Sequence, residues 1–139
     1  MTTNATGTFE VTMSPQGPDD IAEGSTLSRL SLSKRFHGDL EAVSKGDMMT
    51  AMGEVEGSAG YVAIERVTGT LHGRRGSFVL QHGGIMTKSS QQLTILVVPD
   101  SGSGELTGLS GRLAIKMEEG VHSYRFEYIL PDLPPGPPT

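Results

Sequence analysis

Apolar and polar residues alternate with a period of two along most of the chain. Thr8 to Met13 puts Phe9, Val11 and Met13 on one face before Pro15 and Gly17-Pro18 break the run. Leu30 to Phe36 repeats the pattern with Leu30, Leu32 and Phe36 together, and Gly38-Asp39 marks a turn. Leu40 to Lys45 reads as a weaker strand ending at Gly46-Asp47, with Met48 to Ala51 either extending it or beginning another. Clearer strands follow at Tyr61–Gly69, Ser77–His82, Gln92–Pro99, Arg112–Met117 and His122–Leu130. Their connections, such as Gly73-Arg74-Arg75-Gly76, His82-Gly83-Gly84 and Asp100 to Gly104, carry turn residues. No helical stripe of about 10–12 residues occurs anywhere.

About eight strands joined by short links cannot form a parallel sheet, whose crossovers are long. They predict an all-β fold, a single antiparallel meander. Eight such strands are about the number that closes into a small barrel, with a two-sheet sandwich as the competing architecture. The barrel occupies about residues 7–130, and the tail Pro131–Thr139, with five prolines in nine residues, reads as an extended or disordered end. Thr68-Gly69-Thr70-Leu71-His72-Gly73 echoes Thr107-Gly108-Leu109-Ser110-Gly111, which reads as one corner chemistry used twice.

Composition supports the strands: nineteen glycines and eight prolines in 139 residues make long helices costly. The absence of cysteine excludes disulfides, thiolate metal sites and cysteine nucleophiles. A formal charge of -5 disfavours a nucleic-acid surface, and Arg74-Arg75 with His72 is too small a cationic turn to reverse that. No apolar run reaches the ~20 residues of a membrane span, and Met1–Gly7 has neither part of a signal peptide. A soluble cytoplasmic protein with no membrane or nucleic-acid partner is the expectation.

Some strands do not alternate. Leu93-Thr94-Ile95-Leu96-Val97-Val98 is apolar on both faces, as are Val62, Ala63, Ile64 and Val67. Strands apolar on both faces need cover on both, which predicts a homo-oligomer built on this wall; a sandwich with one thoroughly buried strand is the alternative.

The candidate chemistry is sparse. There is no G-x-S-x-G elbow for His82-Gly83-Gly84 to serve, and Gly102-Ser103-Gly104 precedes no helix, so it is no phosphate loop. The four histidines, His37, His72, His82 and His122, lie far apart and match no local metal-ligand spacing, so no metal and no cofactor are expected. Glu65 stands inside the apolar run Val62–Val67. Facing inward it would be desolvated, its pKa raised, and it could accept a proton or anchor a ligand; facing outward it would pair with a cation across the sheet. Ser77–His82 offers either Gln81 or His82 to the interior, never both in one register. His122, Tyr124, Phe126 and Tyr128 share one face, which suits either pocket lining or ordinary core. Met48, Met49, Met52 and Met86 suit an adaptable apolar mouth.

Taken together, the run Gly57–Arg74, the segment Gly76-Ser77-Phe78-Val79-Leu80-Gln81-His82, Val97–Leu106, Gly108–Gly111, and His122 with Tyr124 strongly resemble the small bacterial proteins grouped as domain of unknown function 3224. The likeness runs from Phe9 to Leu130. It implies an eight-stranded barrel similar to that of allene oxide cyclase, a cofactor-free isomerase, but it brings no catalytic residues with it. Three readings follow: an oligomeric barrel binding a small apolar molecule around Glu65, Gln81, His82, His122, Tyr124, Phe126 and Tyr128; a cofactor-free isomerase or cyclase using Glu65, His82 or His122 for proton transfer; and a filled barrel acting only through its surface.

Overall fold

A computed structural model describes residues 2–131, so the tail from 132 onward lies outside the described residues. The strands are β1 (Thr3–Pro15), β2 (Asp20–Ala22), β3 (Ser25–Gly38), β4 (Leu40–Gly53), β5 (Ala59–Leu71), β6 (Arg74–Met86), β7 (Gln91–Val97), β8 (Ser110–Glu118) and β9 (Val121–Ile129). One short 3-10 turn, Gly104–Leu106, precedes β8. From β3 to β9 each strand pairs antiparallel with the next, and β1 pairs with both β9 and β3. Eight strands therefore close into an antiparallel meander barrel, with β2 appended to the outer end of β3. Closure removes the sheet edges that a sandwich would leave.

Of the two readings of Met48 to Ala51 the structure has the extension: β4 runs from Leu40 through Gly46-Asp47 to Gly53. Gly46 lies opposite Glu65, and a Cβ there would collide with the Ile64 carbonyl oxygen and sit 2.8 Å from the Glu65 Cβ. It is a close-approach glycine inside a strand, not a turn. The barrel also begins earlier than residue 7, because Ala5 in β1 is fully buried against the core.

Inward-facing side chains fill the barrel unevenly. At the end where β4 and β6 begin, Leu40, Leu71, Leu106 and Leu109 form a buried plug. Leu71 and Leu109 come from the two echoing corners, so each supplies a plug residue. Phe78 and Phe126 stack across the barrel above them, ring centroids 5.6 Å apart. Tyr124 reaches across β1: its hydroxyl donates to the His37 carbonyl at 2.9 Å and accepts the Leu40 N–H at 2.9 Å. That bond ties β9 to the β3–β4 hairpin, and only glycine at position 7 leaves the ring room to pass. At the opposite end the inward residues Leu30, Met48, Tyr61, Met86, Ile115 and His122 are only half-buried.

Candidate functional site

The polar centre of the molecule is built around Glu65, which lies mid-strand in β5 and points inward with 0 % of its surface exposed. Its Oε2 accepts from Lys34 Nζ at 2.8 Å and from His82 Nε2 at 2.5 Å, and its Oε1 accepts from Ser44 Oγ at 2.7 Å. An ionised carboxylate has no proton to give, so His82 must be the donor and carry its proton on Nε2. Lys34 and Ser44 face each other in the β3–β4 ladder. The ammonium also lies over two rings, 5.3 Å from the centroid of Phe9 and 5.9 Å from that of Phe36. The cluster is thus closed on itself, and no buried side-chain polar atom among the described residues lacks a partner.

Electrostatics reverse one expectation. Burial by itself pushes the Glu65 carboxyl upward, yet the His82 hydrogen bond together with the charge and hydrogen bond of Lys34 outweigh it and hold the pKa down at about 2. Glu65 does face inward, but as a group ionised near neutrality rather than a proton acceptor poised there. The outward-facing alternative, a surface carboxylate paired across the sheet, is overturned by its complete burial. Its negative charge adds to burial in raising the Tyr61 hydroxyl above its usual value, burial being the larger cause.

The other candidates separate. His82 points inward and Gln81 outward, as one register requires, so Gln81 does not share a site with Glu65. Tyr124, Phe126 and Tyr128 are buried in the hydrophobic core, the core reading of that stripe. Tyr128 bonds His72 Nδ1 at the plugged end, 2.5 Å away, and His72 Nε2 in turn lies 3.5 Å from Asp39. His122 sits near the other end, half-buried, its ring 5.0 Å from that of Phe9. The structure therefore brings Glu65 and His82 together and leaves His122, Gln81 and the tyrosines elsewhere. Among the described residues no group of three metal-ligating side chains converges. The methionines divide too: Met48 and Met86 turn inward at the half-filled end, whereas Met49 lies on the outer wall.

Sequence reasoning misses Lys34 and Ser44. Both occupy inward positions of an alternating strand; Lys34 falls between Leu32 and Phe36 on the apolar face. A lysine on that stripe is the available signal for a buried anion.

Two surface features complete the picture. On the outer wall of β3–β7, Leu27, Met49, Val62, Ile64, Ile85 and Leu96 are exposed, Val62 and Ile85 each by 60 %. Leu27, Met49, Val62 and Ile85 border an apolar trough of about 540 Å³ floored by Gly60 and Gly83. Between β7 and β8 lies a second cleft, of about 380 Å³, where the two strands part.

Among the described residues no helix is long and apolar enough to cross a membrane. No curated protein matches the chain. A crystal structure of a protein with unknown function from the DUF3224 family of Shewanella oneidensis MR-1 is similar, with 51% sequence identity and a TM-score of 0.90. The similarity covers 94% of this chain and 99% of that one. The family described as "Protein of unknown function (DUF3224)" matches residues 5–128. With that match spanning nearly the whole barrel, the chain belongs to the DUF3224 family.

Proposed function

We propose that this protein is a binding barrel that works through its outer wall, associating with further copies of itself across β4–β7. The observation that carries this reading is the group of exposed outward apolar side chains Met49, Val62, Ile64, Ile85 and Leu96. Neighbouring strands place these side chains in adjacent rows: Met49 opposite Val62, Ile64 opposite Gln81, and Gln81 opposite Leu96. Most of the patch lies on β4, β5 and β6, which are paired on both sides, so association is face to face and driven by burial, at about 25 cal/mol per Å². Asp47 beside Ile64 and Arg66 beyond it give the patch charges of both signs, which a two-fold partner can match.

The isomerase alternative, suggested by the allene oxide cyclase likeness, would need Glu65 or His82 free to move a proton. Both carboxylate oxygens of Glu65 are already engaged, and its pKa lies far below neutrality. The cluster is better suited to locking β3, β4, β5 and β6 together inside the barrel. A small apolar molecule remains compatible with the trough, but the same exposed rows serve a second copy with more area.

Light scattering tests the proposal directly. The wild-type chain is expected to show a multiple of 14.7 kDa at micromolar concentration. Val62→Glu combined with Ile85→Lys is expected to give a monomer with an unchanged β-sheet circular dichroism spectrum. A monomeric wild type overturns the proposal, and so does an oligomer that survives both substitutions.

A further inference from the structure

Every neighbouring pair of long strands in the barrel shares an extended ladder except β7 and β8, which meet only at Leu96 opposite Arg112. Beyond that pair no ladder joins Leu93, Thr94 and Ile95 to Leu113, Ala114 and Ile115. The cause lies in the connection. After Val97 the chain keeps following β6, with the Val98 N–H bonded to the Val79 carbonyl and the Ser103 N–H to the Ser77 carbonyl. It then plugs the barrel end with Leu106 and Leu109 before β8 begins at Ser110. No tight turn sets the β7–β8 register.

The resulting cleft of about 380 Å³ has two chemistries. Leu93, Ile95, Leu113 and Ile115 offer apolar surface on its barrel side. At the outer lip stand Arg112 and Arg125 with Glu127. Arg125 donates to Asn4 Oδ1 at 3.3 Å and lies 3.9 Å from Glu127. Arg112, directly opposite Glu127 in the ladder, makes no ion pair among the described residues. The lip thus holds an excess positive charge on a chain of formal charge -5.

We propose that the β7–β8 cleft is a binding site for a compact, ring-sized apolar carboxylate, its body against Leu93, Ile95, Leu113 and Ile115 and its carboxylate on Arg112. Charge complementarity selects the anion, since a guanidinium grips a carboxylate through two parallel hydrogen bonds. Size selects the body: ligand pockets run from about 300 to 1,000 Å³, and this cleft lies near the lower limit. The parted strand edges add backbone N–H and C=O groups that have no ladder partner across the gap.

Titration with 1-naphthoate, followed by ¹⁵N–¹H NMR, tests the assignment, with 1-naphthalenemethanol as the neutral analogue. Saturable shifts are expected in β7 and β8, and the alcohol is expected to bind roughly tenfold or more weakly. Arg112→Met, an exposed substitution that leaves the core untouched, should remove that preference while the alcohol's affinity stays the same. The Val62→Glu/Ile85→Lys variant should bind naphthoate at least as well as the wild type does, because neither substituted residue lines the cleft. The assignment fails if naphthoate does not bind, if its shifts map to the outer trough, or if Arg112→Met leaves the preference intact.

Discussion

At the residue scale the molecule turns on one buried ion pair and the glycine that makes room for it. Burying Lys34 and Glu65 costs desolvation, which their mutual contact and the bonds from His82 and Ser44 offset. Removing one partner strands the other. Lys34→Met and Glu65→Gln are each expected to destabilise the fold by about 3–5 kcal/mol, read as a lower urea midpoint. The amide introduced by Glu65→Gln still offers hydrogen bonds to His82 and Ser44, so the double variant should lose clearly less than the sum of the two. A double variant as unstable as that sum would show that the pair is not coupled. The pH dependence follows with a definite sign. Glu65 is held at about 2 in the folded state against an ordinary 4.5, so its contribution is complete above 4.5 and disappears as pH falls toward 2. That contribution is about 3 kcal/mol, and Glu65→Gln should flatten this part of the acid-unfolding curve. Half of this site is legible in the sequence. Glu65 and His82 stand out in their strands, but Lys34 shares a stripe with Leu32 and Phe36, where its long apolar stem hides the break in the pattern. Gly46 misleads because a glycine opposite a bulky cross-strand neighbour looks, in one strand alone, like a turn.

At the scale of elements, strand positions are written plainly in the alternation, because each strand has one face on a packed interior. Strand lengths are less so. β3, β4, β5 and β6 outrun their apolar stripes at the half-filled end, where inward positions meet solvent and no longer demand apolar residues. Pairing between strands is less legible still, since it belongs to two segments at once. The run Asp100–Gly104 reads as a turn, yet it opens a longer connection that fastens to β6 and separates β7 from β8. That separation has a measurable consequence. With one bridging pair at this seam, β7 and β8 should open locally at lower free energy than β4 and β5, which pair from Leu40–Leu71 to Met52–Ala59. In hydrogen–deuterium exchange, peptides covering 91–97 and 110–118 should exchange earlier than those covering 40–53 and 59–71. Equal protection would mean that the seam is as firmly closed as the rest of the wall.

For the whole molecule, closure is the decision that single-strand patterns leave open. The meander fits a barrel or a sandwich, and what selects the barrel is the long-range pairing of β1 with both β3 and β9. Once closed, the sheet has an inside and an outside, and apolar residues on the outside acquire a different meaning. Val62, Ile64 and Leu96 cannot be core, because Ala63, Glu65, Ile95 and Val97 already occupy the inward positions of the same strands. If copies of the chain cover that wall, folding and association are linked, and stability becomes a function of concentration. Each tenfold increase in protein adds about 1.4 kcal/mol per dimer, half of it to each chain. For a domain of this size that raises the thermal midpoint by roughly 2–4 °C per decade. The wild type should show this slope by calorimetry across a hundredfold concentration range. The Val62→Glu/Ile85→Lys variant should not, and its midpoint should lie below the wild type's throughout the range, because it lacks the stabilisation that association adds. A wild-type midpoint independent of concentration would place the wall in solvent and leave its apolar rows without a partner.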